Sequence, residues 1–181
     1  MKAYNMIKKI IAVLLTVIAA TGLFGCAKPA PVPEEPTAEP TEKPTVSMFD
    51  LAECMREAMP EGKTLVYASK SDSNAEDEFS YVSDIAYEKV EDFFILYAPE
   101  GKTSAAEIVV IAMASAGDAE AAADSLRRHV QNRIGLYSTY EPQFVPELEN
   151  AVIFTEKQYA VLIVGGADGA PEKAFRDFID N

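Results

Sequence analysis

From Ser47 onward the apolar residues follow two alternating rhythms, and each rhythm predicts an element. Met48, Leu51, Met55 and Ala58 recur at steps of three and four, which places them on one helical face. Ser47 is the N-cap of that helix, with Asp50 completing a capping-box-like pair, and Pro60 and Gly62 end it. The triplet Leu65-Val66-Tyr67 reads as a strand fragment, and the polar run from Ser69 to Glu78 is a surface loop leading into a short helix over Ala75 to Val82. Two continuous apolar runs, Phe93 to Ala98 and Ile108 to Ala114, then flank the turn-forming Pro99-Glu100-Gly101-Lys102, which predicts a β-hairpin. Asp118 or Ser115 caps a long helix whose stripe is Ala119, Ala122, Leu126, Val130, Ile134 and Tyr137. Arg127, Arg128 and Arg133 fall mostly off the stripe and are expected to face water. Pro142 stops this helix, and Gly135 weakens its last turns by up to ~1 kcal/mol.

The plan then repeats. Ala151 to Phe154 and Tyr159 to Val164 are strands joined by a tight turn at Glu156-Lys157, and Pro171 to Ile179 is a closing helix. The expected fold is α+β: a four-stranded, mainly antiparallel sheet made of two strand-strand-helix units, both helices on one face, preceded by the N-terminal helix. Ile108 to Ala114 and Tyr159 to Val164 are apolar at every position, as central strands covered on both sides are. The N-terminal helix is the expected second cover; a face it failed to reach would be open for dimerisation or partner binding.

Ahead of this domain, 47–181, lie two segments of different composition. Residues 1–25 have a basic start (Lys2, Lys8, Lys9), an uncharged apolar core from Ile10 to Ala20, and Leu23-Phe24-Gly25 before Cys26. Basic start and short apolar core are the order of a secretion signal. Leu23-Phe24-Gly25-Cys26 resembles the bacterial lipobox, with Leu23 and Gly25 fitting and Phe24 bulkier than the residue most lipoboxes place there. That resemblance implies cleavage between Gly25 and Cys26 and acylation of the Cys26 thiol, hence a stable lipid anchor at a membrane. The alternative is a plain spanning anchor, since Ile10 to Cys26 is an uncharged run of about the minimum length.

Residues 26–46 carry the lipidated Cys26 and a tether rich in Pro, Glu and Thr, with prolines at 29, 31, 33, 36, 40 and 44. With almost nothing to bury, such a segment is expected to stay disordered and extended. At ~3.1 Å per residue in a polyproline II conformation it spans up to ~60 Å. Loss of the leader's three lysines would take the formal charge from −13 to −16. Nucleic acid is therefore not an expected partner, because phosphate affinity rests on Lys and Arg.

The residues that chemistry needs are scarce. His129 is the only histidine and sits at the edge of the long helix's stripe, so it is expected as a boundary residue. No nucleophile-elbow sequence accompanies it. Cys54 is the only cysteine left once Cys26 is acylated; it is read as a small, half-buried apolar residue, with no disulfide, and no transition-metal site is expected. Asp72, Glu76, Asp77 and Glu78 form the densest acidic cluster but lack the spaced ligands and central glycine of a calcium loop, so they read as a solvated charge run. Gly165-Gly166-Ala167-Asp168-Gly169 lies between a strand and a helix, yet has no phosphate-binding Lys-Ser/Thr and reads as a sharp turn. No catalytic, cofactor-binding or metal residue is assigned, and no cofactor is expected.

Over roughly Phe79 to Asp180 the chain resembles the family known as domain of unknown function 4358. The resemblance is carried by Tyr87-Glu88-Lys89-Val90-Glu91, Ala106-Glu107-Ile108-Val109-Val110, Tyr140-Glu141-Pro142, and the final hairpin and helix from Ala151 to Phe178. Phe79 to Ala86 fits least well. The resemblance implies a lipoprotein of a Gram-positive bacterium and no assigned activity. The expected role is a non-catalytic, lipid-anchored extracytoplasmic module, held to the membrane through Cys26, that binds a protein, the cell wall or a small molecule. The alternative is an extracytoplasmic hydrolase working through carboxylates, for example Glu107 with a residue that folding brings near.

Overall fold

The computed structural model describes residues 46–60, 64–99, 104–166 and 168–181. The leader with Gly25, Cys26 and the tether lie outside the described residues, as do Gly62, Ala167 and most of the 99–102 turn. Both predicted hairpins form, from β2 (Val90–Tyr97) with β3 (Glu107–Met113) and from β4 (Val152–Glu156) with β5 (Tyr159–Val164). The strand fragment at Leu65-Val66-Tyr67 becomes β1 (Val66–Ser69), paired with Phe94–Tyr97. The sheet therefore has five strands and not four, in the order β1-β2-β3-β5-β4, and every pairing is antiparallel. A strand of four residues is too short for alternation to declare itself, but β2 needs it. Phe93 to Leu96 are buried, and without β1 the backbone groups on the outer side of β2 would have no ladder partner.

The hairpins meet through their second strands. Glu107 faces Val164 and Ala112 faces Tyr159 across the β3/β5 ladder. Every residue of β3 and β5 is buried, as the unbroken apolar runs required.

Side-chain alternation sorts the sheet into two cores. Phe93, Ile95, Val109, Ile111, Ala160 and Leu162 face α2 (Ala75–Val82) and the 25-residue α3 (Ala116–Tyr140). Phe94, Leu96, Ile108, Val110, Val161 and Ile163 face the other way, against α1 (Met48–Glu57) and, after the short α4 (Val145–Glu149), the closing helix α5 (Ala170–Ile179). The two unit-ending helices thus lie on opposite faces and not on one, and α1 shares the second face with α5. The link from β5 decides this. An added Cβ at Gly166 would sit 2.8 Å from Ile163 Cγ2 and 3.0 Å from Pro171 Cγ, so glycine lets the chain fold straight back over the Ile163 side of the sheet. Gly169 supplies the left-handed N-cap, φ 73°, that starts α5.

Local chemistry supports the elements. Ser47 Oγ accepts from the Asp50 amide at 3.3 Å, and Ser115 Oγ from the Asp118 amide at 3.2 Å, each satisfying a donor of a helix's first turn. Glu91 lies at a register irregularity in β2, where Lys70 Nζ donates to the Val90 carbonyl and, at 3.0 Å, to that of Glu91. Among the described residues no helix is long and apolar enough to cross a membrane.

Candidate functional site

Glu107 opens β3 on the same side as Val109 and Ile111, so its carboxylate points toward α3, away from bulk water. A buried carboxylate must be paired or it is costly. His129 and Arg133, one helical turn apart on α3, meet that need: His129 Nε2 lies 2.8 Å and Arg133 Nη1 2.9 Å from Glu107 Oε2. Side-chain exposure is 7% for Glu107, 12% for His129 and 17% for Arg133.

The expectation that Arg133 faces water is corrected here. Its guanidinium also donates to the Ala105 carbonyl at 3.1 Å and lies over the Tyr137 ring at 5.3 Å, so it is a strut between α3 and the start of β3. From α4, Glu147 accepts from the Ala105 amide at 2.8 Å and from Ser104 Oγ at 3.1 Å. The segment entering β3 is therefore gripped by two charged side chains from two helices. Arg127 and Arg128 do stay at the surface, paired with Asp124 and Asp84.

Two adjoining depressions lie along this cluster, between α2 and α3. One, about 240 Å³, is walled by Tyr81, Tyr97, Tyr137, Ile95, Glu78 and Ser104 over Glu107. The other, about 300 Å³, runs past Ser80, Asp84, Ser125, Arg128, Asn132 and Leu136. Tyr81, Val82, His129 and Arg133 line both, so the depressions form one groove. Burial, and secondarily the charge of Glu78, push the Tyr97 phenol above its ordinary value.

The groove's far end is set by Ser83 and Ser125, whose hydroxyls lie 2.9 Å apart, with Ser125 Oγ accepting the Asp84 amide at 2.8 Å. Arg128 then holds Asp84 in a two-pronged ion pair, Nε to Oδ2 at 2.9 Å and Nη2 to Oδ1 at 2.6 Å. The Arg128 guanidinium, helped by Ser125, holds the Asp84 carboxyl down to about 2 from 3.8. A depressed carboxylate contributes stability above its unfolded value, lost as pH falls through its folded one. Wild type and Asp84→Asn are therefore expected to differ in Tm at pH 5, by a small amount because the pair is largely exposed, and to converge between pH 4 and 2. A difference that persists unchanged at pH 2, read by calorimetry, would assign the effect to something other than this pair.

The other sequence candidates lie apart from the groove or form no site. Cys54, free and half-buried, is on α1. The acidic run divides: Asp72 accepts from the Ser69 amide at 2.7 Å, and Glu76, Asp77 and Glu78 occupy the first turn of α2, where the helix dipole favours them. No three His, Cys, Asp or Glu among the described residues are placed to hold a metal ion. Glu107 and His129, read separately from the sequence, are brought together; Arg133 is the member sequence reasoning missed. Its available signal was the four-residue spacing from His129, combined with a lone carboxylate opening an otherwise apolar strand. The resulting arrangement can hydrogen-bond and stack against a ligand using groups already held in position.

A family model described as domain of unknown function (DUF4358) matches residues 66–165. No curated protein and no solved structure matches the chain. The matched range holds all five strands, α2, α3 and the whole groove, while α1 and α5, which cover the other face, lie outside it.

Proposed function

This chain belongs to the DUF4358 family, and from that premise we propose that it is a lipid-anchored extracytoplasmic protein whose domain is a non-catalytic binding module working through the α2/α3 groove. One observation carries the binding reading: a groove with Tyr81, Tyr97 and Tyr137 in its walls, built over Glu107, whose buried carboxylate His129 and Arg133 hold in place. Concave sites with mostly apolar and aromatic walls and a few fixed polar groups are where small ligands bind. Glu107 Oε2 accepts from both α3 side chains, so the carboxylate acts as a brace that keeps the groove's floor in one geometry.

The anchor reading rests on the basic, then apolar, leader and on Leu23-Phe24-Gly25-Cys26. Cells fed radiolabelled palmitate are expected to label the wild-type chain and leave Cys26→Ala unlabelled. Label retained by the variant would refute the anchor. For the groove, a photo-crosslinking residue at Asn132, exposed on its wall, is expected to form adducts in living cells that one at Glu149, outside it, does not form.

The hydrolase reading has its own observation, since Glu78 and Glu107 line one cavity and Glu107 touches His129. It requires substrate turnover that Glu107→Gln abolishes while the fold is kept.

A further inference from the structure

Resting on the groove as the binding site, we propose that its ligand is a neutral carbohydrate, a chain of at least two pyranose rings, with one ring seated on Tyr81. The first argument is charge. The groove's guanidiniums are already neutralised, Arg133 by Glu107 and Arg128 by Asp84. An anion would meet the Glu78 carboxylate and a strongly acidic chain, with a formal net charge of −13. A hydroxyl-rich neutral ligand needs no free countercharge: its hydroxyls can donate to the Glu78 carboxylate, and it finds planar, fixed donors and acceptors, which charge pairing leaves able to take further hydrogen bonds.

The second argument is the apolar surface. Tyr81 is 76% exposed and Leu136 55% exposed, both on the groove's walls, where an unpartnered ring and aliphatic side chain would otherwise face water. A pyranose presents a C–H face of slight positive charge, which suits the negative face of a phenol ring, and a rim of hydroxyls for the polar groups around it. Tyr81 lines both depressions, so it stands where two consecutive rings would meet. One depression, about 300 Å³, is at the small end of the ~300–1,000 Å³ typical of small-molecule sites and the other, about 240 Å³, lies below it, so each suits no more than one ring.

Such a glycan has two sources outside a cell, the wall's own acetamido sugars or a free glucose polymer. The full-length protein, in a detergent without a sugar headgroup, is titrated with β-linked N-acetylglucosamine tetramer and separately with maltotetraose while amide NMR shifts are followed. Saturable shifts centred on Tyr81, Asn132 and Leu136 are expected with one of the two, and that sugar identifies the source. Tyr81→Ala should weaken binding about tenfold, the loss of one stacking contact. Tyr140→Ala, equally exposed on α3 but outside the groove, should leave it within about twofold of wild type. Saturation by neither sugar, or equal binding by Tyr81→Ala, overturns the carbohydrate assignment, and in-cell adducts at the groove would then keep the binding reading alive with a protein partner. Shortening of the oligosaccharide in the same sample supports the ligand class and instead sinks the non-catalytic reading.

Discussion

Replacing Arg133 with alanine is expected to cost the folded domain about 3 kcal/mol, the lower end of the range for removing one partner of a buried ion pair. The lower end applies because the Arg133 side chain keeps 17% of its exposure, whereas Glu107 keeps 7%. Alanine leaves the carboxylate with His129 alone and withdraws the donor that holds the Ala105 carbonyl, so the start of β3 keeps only the Glu107–His129 contact to α3. Urea denaturation of the variant gives the number. In the Arg133→Ala background, Glu107→Gln is expected to recover part of the loss, since a neutral amide is cheaper to bury than a carboxylate short of a partner. High salt should leave the wild-type effect almost intact, because the pair is shielded from screening ions. A cost below about 1 kcal/mol would put Arg133 in the class of surface pairs, and the brace assigned to it would fail.

Phe175→Ala is expected to be the most damaging substitution on the opposite face, at about 3–5 kcal/mol, with Tm lower by roughly 10–20 °C. Phe175 is fully buried, and its ring meets Phe154 at 5.5 Å and Tyr159 at 5.9 Å, both edge-on at 78°. It forms the inward stripe of α5 with Pro171 and Ile179, the stripe through which the helix seals the sheet beside α1. Phe178, only partly buried on the same helix, should cost clearly less when cut to alanine. Thermal unfolding of the two variants gives the comparison. The reverse order would mean that α5 is rotated on the sheet and that its inward face is misassigned.

Both substitutions bear on how far the chain was legible before folding. The Phe175 stripe was readable, because a helix writes its buried face at steps of three and four. The face of the sheet it covers was not, since neither side of an all-apolar strand looks different from the other. Ile108 and Val109 read alike, yet one faces α1 and α5 and the other α3. Arg133 was misread for a related reason. Periodicity assigns charged side chains off the apolar stripe to water, and only a distant buried carboxylate, 26 residues earlier, reverses that.

Glu107 shows the limit most clearly. Its identity and its place at the head of an apolar strand are local facts, and so is the one-turn spacing of His129 and Arg133. Their meeting depends on β3 lying under the second half of α3, a relation fixed by sheet order and helix docking. By itself the sequence determined every helix but the short α4, both hairpins, the central position of β3 and β5, and the leader's resemblance to a lipoprotein signal, because each is written in spacings of a few residues. Only the tertiary structure decided the fifth strand, the side taken by each helix and the groove with its brace. Those depend on which of several equally apolar surfaces meet, and that choice is made by packing between segments far apart in the chain.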